Sequence, residues 1–351
     1  MINLVHFYDR PGGIEILLPG IIKALNEREF SAFVIRPHDG TIPSVYSDTG
    51  IEVIYGSRKN LKACLKLGRY ARHRKDEIFH IFNAGPLFLL VLRIAGIKRL
   101  IYSIHGTIYW HNRIEKFVLR LIWRMAIDQR RQIFTSNSKY SGQVFRDNIA
   151  PGISCELLYN YIDSGRFMRE VPSAPGKEVR KIIYVGRLAP GKGLYRWVEI
   201  ALSLHQAVPQ LFFEIYGEGQ LKADLMKKIS DAGAAGFIQL KGHRNDIENV
   251  YREAGLLLFL SEYESFGNVV VESILCGTPV LVTDIPSMKE IFSEFPEFIL
   301  KSSPPSAEEI LRKLSGITYL REVAEKAGKV FRERFSIDKH IEKLTDIYAK
   351  I

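Results

Sequence analysis

Short apolar, β-rich runs alternate along the chain with longer stretches whose apolar residues recur at helical spacing. This alternation predicts βαβ units and parallel sheets. In the first half it predicts helices at 14–28 and 114–127. Four residues of the second helix have core spacing: Phe117, Leu121, Ile122 and Met125. The predicted strands of this half are 2–7, 30–36, 51–54, 78–82, 99–104, 132–136 and 155–158.

A segment rich in Pro, Ser and Gly, REVPSAPGKE at 169–178, interrupts this pattern and indicates a linker. We therefore predict an α/β domain at 1–168, a linker at 169–179 and a second α/β domain at 180–336. The elements predicted after the linker are strands at 181–185, 212–216, 238–241, 256–260 and 279–282, and helices at 194–207, 220–232, 306–334 and 337–351. Ligands bind beyond the carboxyl ends of such strands, so two facing Rossmann-like domains are expected to share a central cleft.

The composition agrees with a folded protein of two domains. Of 351 residues, 46% are hydrophobic and 25% are charged. Three separated cysteines, Cys64, Cys155 and Cys276, show neither metal-ligand spacing nor an even-numbered disulfide framework. The start has no signal-peptide layout, and the longest apolar runs are too short to cross a bilayer. We expect a cytoplasmic protein.

The formal net charge of +10 lies entirely in the first half, where residues 1–170 contain 25 Lys and Arg against 15 Asp and Glu. Its densest part, Arg58–Lys75, contains no acid and has apolar residues at roughly helical spacing. Two interpretations remain open: a solvated helix face, or contact with anionic lipid headgroups or a pyrophosphate-bearing acceptor. Nucleic acid is disfavoured because no aromatic-plus-basic module accompanies the charge.

Two glutamates eight positions apart, Glu264 and Glu272, follow the predicted strand at 256–260. Between them a helix is predicted to start at Phe266-Gly267-Asn268, and a helix start can hold hydroxyl or phosphate oxygens on its unpaired N–H groups. Carboxylates accept hydrogen bonds from the vicinal hydroxyls of a sugar or a ribose. The structural alternative is a helix N-terminal acid and a surface acid. The apolar surroundings of Glu272 instead indicate a buried acid that needs a partner.

A second segment, from Gly186 to Gly193, lies between a predicted strand and a predicted helix. Arg187 and Lys192 in this loop can neutralise a diphosphate, a task that a metal ion performs in other proteins. A surface salt bridge is the structural alternative. The sequence shows no paired Asp or His cluster typical of a divalent-cation site.

Three further strand-end features are weak when taken singly. Gly12 and Gly13 form a tight turn before the first helix and can admit a phosphate close to the backbone. Gly217 begins a similar turn that lacks the full dinucleotide fingerprint. His105 could bond a sugar hydroxyl or assist a departing phosphate, although a lone histidine is usually structural.

Together these segments resemble the family 4 glycosyltransferases, a retaining family with the GT-B fold, over nearly the whole chain. The E-x7-E signature matches Glu264 and Glu272, and the GRL…KG segment matches Gly186, Arg187, Leu188, Lys192 and Gly193. The GGxE turn matches Gly12, Gly13 and Glu15, and the HG pair matches His105-Gly106. Asn160-Tyr161-Ile162-Asp163 resembles the NGVD segment, with Tyr161 in place of glycine.

The resemblance implies a role for each matched residue. Arg187 and Lys192 would bind the donor diphosphate and Glu272 the ribose. The transferred sugar would lie against Glu264 and the backbone amides of Phe266, Gly267 and Asn268, with His105 at its hydroxymethyl edge and His243 and Arg244 beside the nucleobase. The helix 337–351 would pack back on the first domain. The chain departs from the family at His80-Ile81-Phe82-Asn83, where a second histidine is often found and Phe82 stands instead.

The resulting hypothesis is transfer of a sugar from a UDP- or GDP-linked donor to a hydroxyl acceptor, with retention and without a metal cofactor. The acceptor is expected in cell-surface polysaccharide or lipid-linked glycan synthesis, at or near the inner face of the plasma membrane. Two rivals remain: a sugar-nucleotide 2-epimerase of the same fold, and a non-catalytic module that binds sugar nucleotides or membranes.

Overall fold

A computed structural model of the chain describes residues 1–7, 13–25, 30–36, 52–55, 61–82, 84–106, 113–128, 130–167 and 179–351. The chain divides into two units, Met1–Tyr161 with Ile337–Ile351, and Ile162–Ser336. The predicted linker falls outside the described residues except for Val179, so the predicted domain bounds remain a prediction.

The first unit is built on a parallel sheet of seven described strands in the order β3-β2-β1-β4-β5-β6-β7. Their bounds are β1 Ile2–Phe7, β2 Phe30–Arg36, β3 Glu52–Tyr55, β4 Ile78–Phe82, β5 Arg99–Ile104, β6 Gln132–Ser136 and β7 Cys155–Leu157. Central strands are apolar on both sides because both faces of the sheet are covered, as expected for a parallel sheet.

Helices cover the two faces of this sheet. One core lies under Leu61–Ala71, Pro86–Ile94, Arg113–Ala126 and Lys139–Asn148, and includes Phe79, Ile81 and Tyr102 from the strands. The other lies under Gly13–Ala24 and Ile337–Ala349, and includes Leu4, Ile78 and Ile101. Helix Ile337–Ala349 is thus part of the first unit's core, although the second unit precedes it in the chain.

The apolar face of helix Arg113–Ala126 differs from the sequence prediction. Three of the four residues assigned to the core are exposed: Phe117 at 71%, Leu121 at 49% and Met125 at 47%. The side that is buried carries Trp123 and Ala126. Trp123 packs edge-on against Tyr102 and Phe145, with ring centroids 5.1 Å apart in each pair.

The second unit contains a parallel sheet of five strands in the order β10-β9-β8-β11-β12. These are β8 Lys181–Val185, β9 Phe212–Tyr216, β10 Ile238–Gly242, β11 Leu256–Phe259 and β12 Val280–Val282. The helices are Ser164–Phe167, Leu194–Ala207, Lys222–Asp231, Ile247–Glu253, Asn268–Leu275, Pro286–Ile291, Ala307–Ser315 and Ile317–Arg334. The helix predicted at 306–334 is interrupted at Gly316, which lies between the last two.

Tyr161, which the sequence singles out, belongs to the core of the first unit. Tyr161, which stands where the family has glycine, is buried and donates a hydrogen bond to the Leu17 carbonyl at 2.7 Å. Gly20 makes room for it, since a Cβ there would lie 1.9 Å from the Tyr161 hydroxyl.

Within the described ranges, no helix has the length and apolar character to span a bilayer.

Candidate active site

Loops at the carboxyl ends of three neighbouring strands, β9, β8 and β11, carry most of the predicted donor-site residues. The loops after β8 and β9 touch through their glycines. Gly217 has φ +139°, and a Cβ there would lie 1.9 Å from the Gly186 carbonyl oxygen. The Leu188 N–H donates to the Glu218 carbonyl at 3.0 Å. Gly217 therefore permits the close contact of two loops, and Arg187 beside it is exposed.

Lys192 and Glu264 form an ion pair across two of these loops, with 2.5 Å between Nζ and Oε2. Both side chains are largely shielded, at 13% and 18% exposure. Gly193 holds the lysine loop in place: its φ is +65°, and a Cβ would lie 2.0 Å from the Leu260 carbonyl oxygen. The Glu262 N–H also donates to the Gly191 carbonyl at 2.9 Å. The structure therefore brings together two of the predicted charged groups.

Helix Asn268–Leu275 begins beside this pair. Its N-cap is Gly267, with φ +87°, and a Cβ there would lie 3.4 Å from Cγ of Glu264. Phe266 is buried and packs edge-on against Phe335, with centroids 5.3 Å apart. A buried aromatic anchor and a left-handed glycine fix where the helix starts, so its first turn lies next to Glu264.

Glu272, two turns further along this helix, has a partner that the sequence did not indicate. The Tyr251 hydroxyl donates to Oε2 of Glu272 at 2.9 Å, and Tyr251 is fully buried. Burial raises the pKa of Glu272 to about 7, although the Tyr251 hydrogen bond and the charge of Arg166 act in the opposite direction. Tyr251 lies on helix Ile247–Glu253, 21 positions away in sequence, and no motif spacing connects the two.

Arg166 is a second residue that sequence reasoning missed. Its guanidinium pairs with Glu248 at 2.9 Å, and it acts on Glu272 through charge. The Arg252 guanidinium donates to the Arg166 carbonyl at 3.1 Å and so supports the short helix Ser164–Phe167. A basic residue therefore lies close enough to favour the ionised form of Glu272.

The residues predicted beside the nucleobase have local partners. Arg244 makes two hydrogen bonds to Asp246, at 2.8 and 2.7 Å, and the His243 Nε2 lies 3.2 Å from Asn245 Oδ1. Arg244 and Asp246 line a surface pocket of about 220 Å³ together with Tyr216. His243 and Arg244 are exposed, and their described polar contacts are with their own loop rather than with the two glutamates.

In the first unit, His105 lies at the end of β5 beside other histidines. Burial, with the charges of His340 and His6, lowers its pKa to about 3, so its imidazole is neutral at physiological pH. A neutral imidazole can donate one hydrogen bond and accept another, as a contact to a sugar hydroxyl requires. Gly13 is the first residue of helix Gly13–Ala24, whereas Gly12 lies outside the described residues.

The His80 segment proves to be partly structural. His80 is buried in β4, with Nδ1 2.9 Å from the Tyr348 hydroxyl and Nε2 2.6 Å from Ser103 Oγ. Phe82, which replaces the family's second histidine, lies 5.9 Å from the ring of His105. His80 therefore joins the C-terminal helix to the sheet, and Phe82 lies near His105. Asn83 lies outside the described residues.

No group of three or more His, Cys, Asp or Glu side chains suited to a metal ion occurs among the residues that the structure describes. The three cysteines are free thiols, and burial raises the pKa of Cys276 to about 12. The proposal of metal-independent chemistry is neither supported nor opposed by this finding.

Two family models match adjoining parts of the chain. The model described as "Glycosyltransferase Family 4" matches residues 11–166, and the one described as "Glycosyl transferases group 1" matches residues 168–334. Together they span nearly the whole sequence.

Among curated proteins, the chain is similar to the GtfA subunit of the UDP-N-acetylglucosamine–peptide N-acetylglucosaminyltransferase of Streptococcus pneumoniae serotype 4. The two are 29% identical over 271 residues, which are 75% of this chain and 52% of that protein. The chain therefore aligns with about half the length of this relative. It is also 21% identical to the Escherichia coli UDP-Gal:alpha-D-GlcNAc-diphosphoundecaprenol alpha-1,3-galactosyltransferase, over 83% of this chain and 79% of the relative.

Among solved structures, the chain resembles that of HepE from Anabaena in complex with UDP. The TM-score is 0.80 at 21% identity, with full coverage of both chains. This likeness and the two parallel sheets show the GT-B fold.

Proposed function

Because this chain belongs to glycosyltransferase family 4, we propose that it moves a sugar from a nucleoside diphosphate sugar to a hydroxyl acceptor with retention of anomeric configuration. That it is a transferase follows from the family. The donor, the acceptor, the stereochemistry and the residue roles are the parts proposed here.

The shielded Lys192–Glu264 pair is the observation that carries the proposal. A lysine held beside a helix start supplies positive charge where a leaving diphosphate would develop negative charge, and Arg187 on the same loop adds to it. Glu264 has a second use, since its carboxylate can accept hydrogen bonds from sugar hydroxyls while it is paired with Lys192. Glu272, eight positions along, would accept from the two ribose hydroxyls.

The proposed reaction needs little covalent chemistry from the protein. The acceptor oxygen would attack the anomeric carbon as the bond to the diphosphate breaks, and the departing phosphate oxygen would take the acceptor's proton on the same face. The protein would supply positioning and fixed charge. His105, neutral at the end of β5, would bond a sugar hydroxyl rather than carry the proton.

Relatives support a UDP-linked donor more than a GDP-linked one. The names of the pneumococcal and E. coli relatives both specify UDP-sugars, and the HepE structure contains UDP. The name of the E. coli relative also specifies an acceptor linked to a polyprenol diphosphate. We propose a lipid-linked acceptor in cell-surface glycan synthesis, reached from the cytoplasmic side. Contact of Arg58–Lys75 with the membrane stays a hypothesis, since Arg58, Lys59 and Asn60 lie outside the described residues.

A thermal-shift screen over UDP, GDP and their common sugars tests the donor part. A ligand that binds only the folded state raises the melting temperature, by an amount equivalent to about 2.7 kcal/mol at one hundred times its Kd. We expect UDP and one UDP-sugar to give the largest shifts, and Glu272→Ala to abolish them. No shift with any nucleoside diphosphate, or an undiminished shift in Glu272→Ala, would overturn the proposed donor site.

A further inference from the structure

Four large apolar side chains form a continuous exposed stripe on helix Arg113–Ala126: Phe117, Val118, Leu121 and Met125. We call it the 117–125 stripe. Phe117, Leu121 and Met125 are spaced four positions apart, and Val118 is three positions before Leu121, so all four lie on one side of the helix. Monomeric soluble proteins seldom expose several large apolar residues side by side, and such patches mark interaction surfaces.

The stripe is not a loosely packed core face. The helix already buries its other side through Trp123, which packs against Tyr102 and Phe145, and through Ala126 in the same core. Hydrogen bonds also hold the helix at its middle and at its C-terminal end. Arg120 Nε donates to the Asn148 carbonyl at 2.5 Å, and the Arg93 guanidinium donates to the Ile127 carbonyl at 3.0 Å. A firmly attached helix therefore presents these residues outward.

Exposed apolar residues continue onto the neighbouring helices. Pro86–Ile94 packs between Leu61–Ala71 and Arg113–Ala126 on the same face of the sheet. Ile94, the last residue of Pro86–Ile94, and Leu65 on helix Leu61–Ala71 are both more than half exposed. The apolar surface is thus shared by three helices of the first unit.

The charge carried by these three helices is mostly positive. In the sequence, Glu115 is the only acid between Glu77 and Asp128. Basic residues accompany the apolar ones on each helix, and the exposed ones include Lys66, Arg69, Arg93 and Arg124. Apolar side chains flanked by cations, with almost no acid, suit a surface that is apolar inside and anionic outside. That is the chemistry of an anionic lipid bilayer.

We propose that the 117–125 stripe docks the protein on an anionic bilayer, with its apolar side chains at the headgroup–acyl boundary and the surrounding Lys and Arg at the headgroups. The proposed anchor therefore lies on a different helix from the basic segment Arg58–Lys75. The proposal extends the proposed function, because a lipid-linked acceptor is presented at that boundary. It stands on the exposure and charge of this surface alone.

Vesicle sedimentation of the full chain tests it. One set of vesicles is phosphatidylcholine with about one-third phosphatidylglycerol, and the other is phosphatidylcholine alone. Leu121→Gln and Phe117→Ser remove parts of the stripe, while Met226→Gln removes an equally exposed apolar residue from the second unit as a control. We expect each stripe variant to bind anionic vesicles about tenfold more weakly, equivalent to ~1.4 kcal/mol, and the control to bind like the unmodified chain.

Two results would overturn the docking proposal. One is unchanged vesicle binding in both stripe variants. The other is a stable dimer in sedimentation velocity that Leu121→Gln converts to monomer, which would identify a second copy of the chain as the occupant. UDP-induced thermal shifts measured on the same variants keep the two proposals separate. If the UDP-induced shifts persist while vesicle binding is unchanged in both stripe variants, the donor site stands and the docking surface does not.

Discussion

The Tyr251 hydroxyl donates a hydrogen bond to Glu272, joining helix Ile247–Glu253 to the helix that starts beside Glu264. Burial raises the pKa of Glu272, and this hydrogen bond acts in the opposite direction because it stabilises the ionised carboxylate. Since only the carboxylate accepts two ribose hydrogen bonds, Tyr251 acts on donor binding through Glu272. It is a positioning residue.

Tyr251→Phe is expected to shift the pH dependence of UDP binding. In the unmodified chain, affinity should fall as pH decreases through about 7, because Glu272 becomes protonated. Loss of the hydroxyl raises that pKa further, so the midpoint moves to higher pH by about one to two units, given that a hydrogen bond to a charged group contributes about 1.5–3 kcal/mol. Calorimetric titration between pH 5.5 and 9 measures the midpoint.

Tyr319→Phe provides the matched control, since its exposed hydroxyl also bonds a glutamate, Glu297, at 3.1 Å. Its midpoint should equal that of the unmodified chain. A Tyr251→Phe midpoint that does not move would show that the hydroxyl has no influence on donor binding.

Glu272→Gln should stabilise the ligand-free protein while abolishing donor binding. With a folded pKa of about 7, above the ordinary value of 4.5, Glu272 contributes stability below about pH 4.5. That contribution is lost as the pH rises to 7, because the Glu272 carboxyl group ionises at a lower pH in the unfolded chain than in the folded one. Glutamine removes this loss, and we expect a gain of about 3 kcal/mol in the free energy of unfolding at pH 8. Urea unfolding at pH 5 and pH 8 checks it, and equal gains at both pH values would contradict the assigned titration.

Lys192→Met should reduce kcat/KM by about 10²–10³, because it removes a charge aimed at the leaving diphosphate and leaves Glu264 without its partner. Lys222→Met is the control, since Lys222 forms an exposed ion pair with Glu218 at 2.9 Å. Steady-state rates with the donor identified by the thermal-shift screen give the comparison. Equal activity of the two variants would remove Lys192 from the mechanism.

Gly193→Ala should destabilise the second unit by more than 3 kcal/mol, because a Cβ would overlap the Leu260 carbonyl oxygen in addition to the strain of a positive φ. Gly233→Ala isolates the strain: its φ is +64°, and nothing lies within 4 Å of the added Cβ. That variant should lose only about 1–2 kcal/mol. Thermal unfolding of both variants distinguishes steric overlap from backbone strain.

Sequence patterns predicted the strands well because apolar β-branched runs have few alternatives in a covered parallel sheet. Lys192 and Glu264 could be predicted to meet because both follow neighbouring strands. Tyr251 could not be predicted, since its contact with Glu272 depends on how two helices pack. Phe117 and Leu121 were assigned wrongly for a related reason: an apolar stripe has the same spacing whether it faces a core or the outside.

The two ends of the second unit lie one hydrogen bond apart, since the Ile162 N–H donates to the Phe335 carbonyl at 2.9 Å. Residues 162–336 thus form an insertion whose entry and exit adjoin, and the first unit's last core helix is translated after it. During synthesis, Leu344 and Tyr348 reach the ribosome exit only once the whole insertion has emerged. The first unit, begun earliest, is therefore completed last, and a nascent chain that stops at Ser336 would expose the core face that this helix covers.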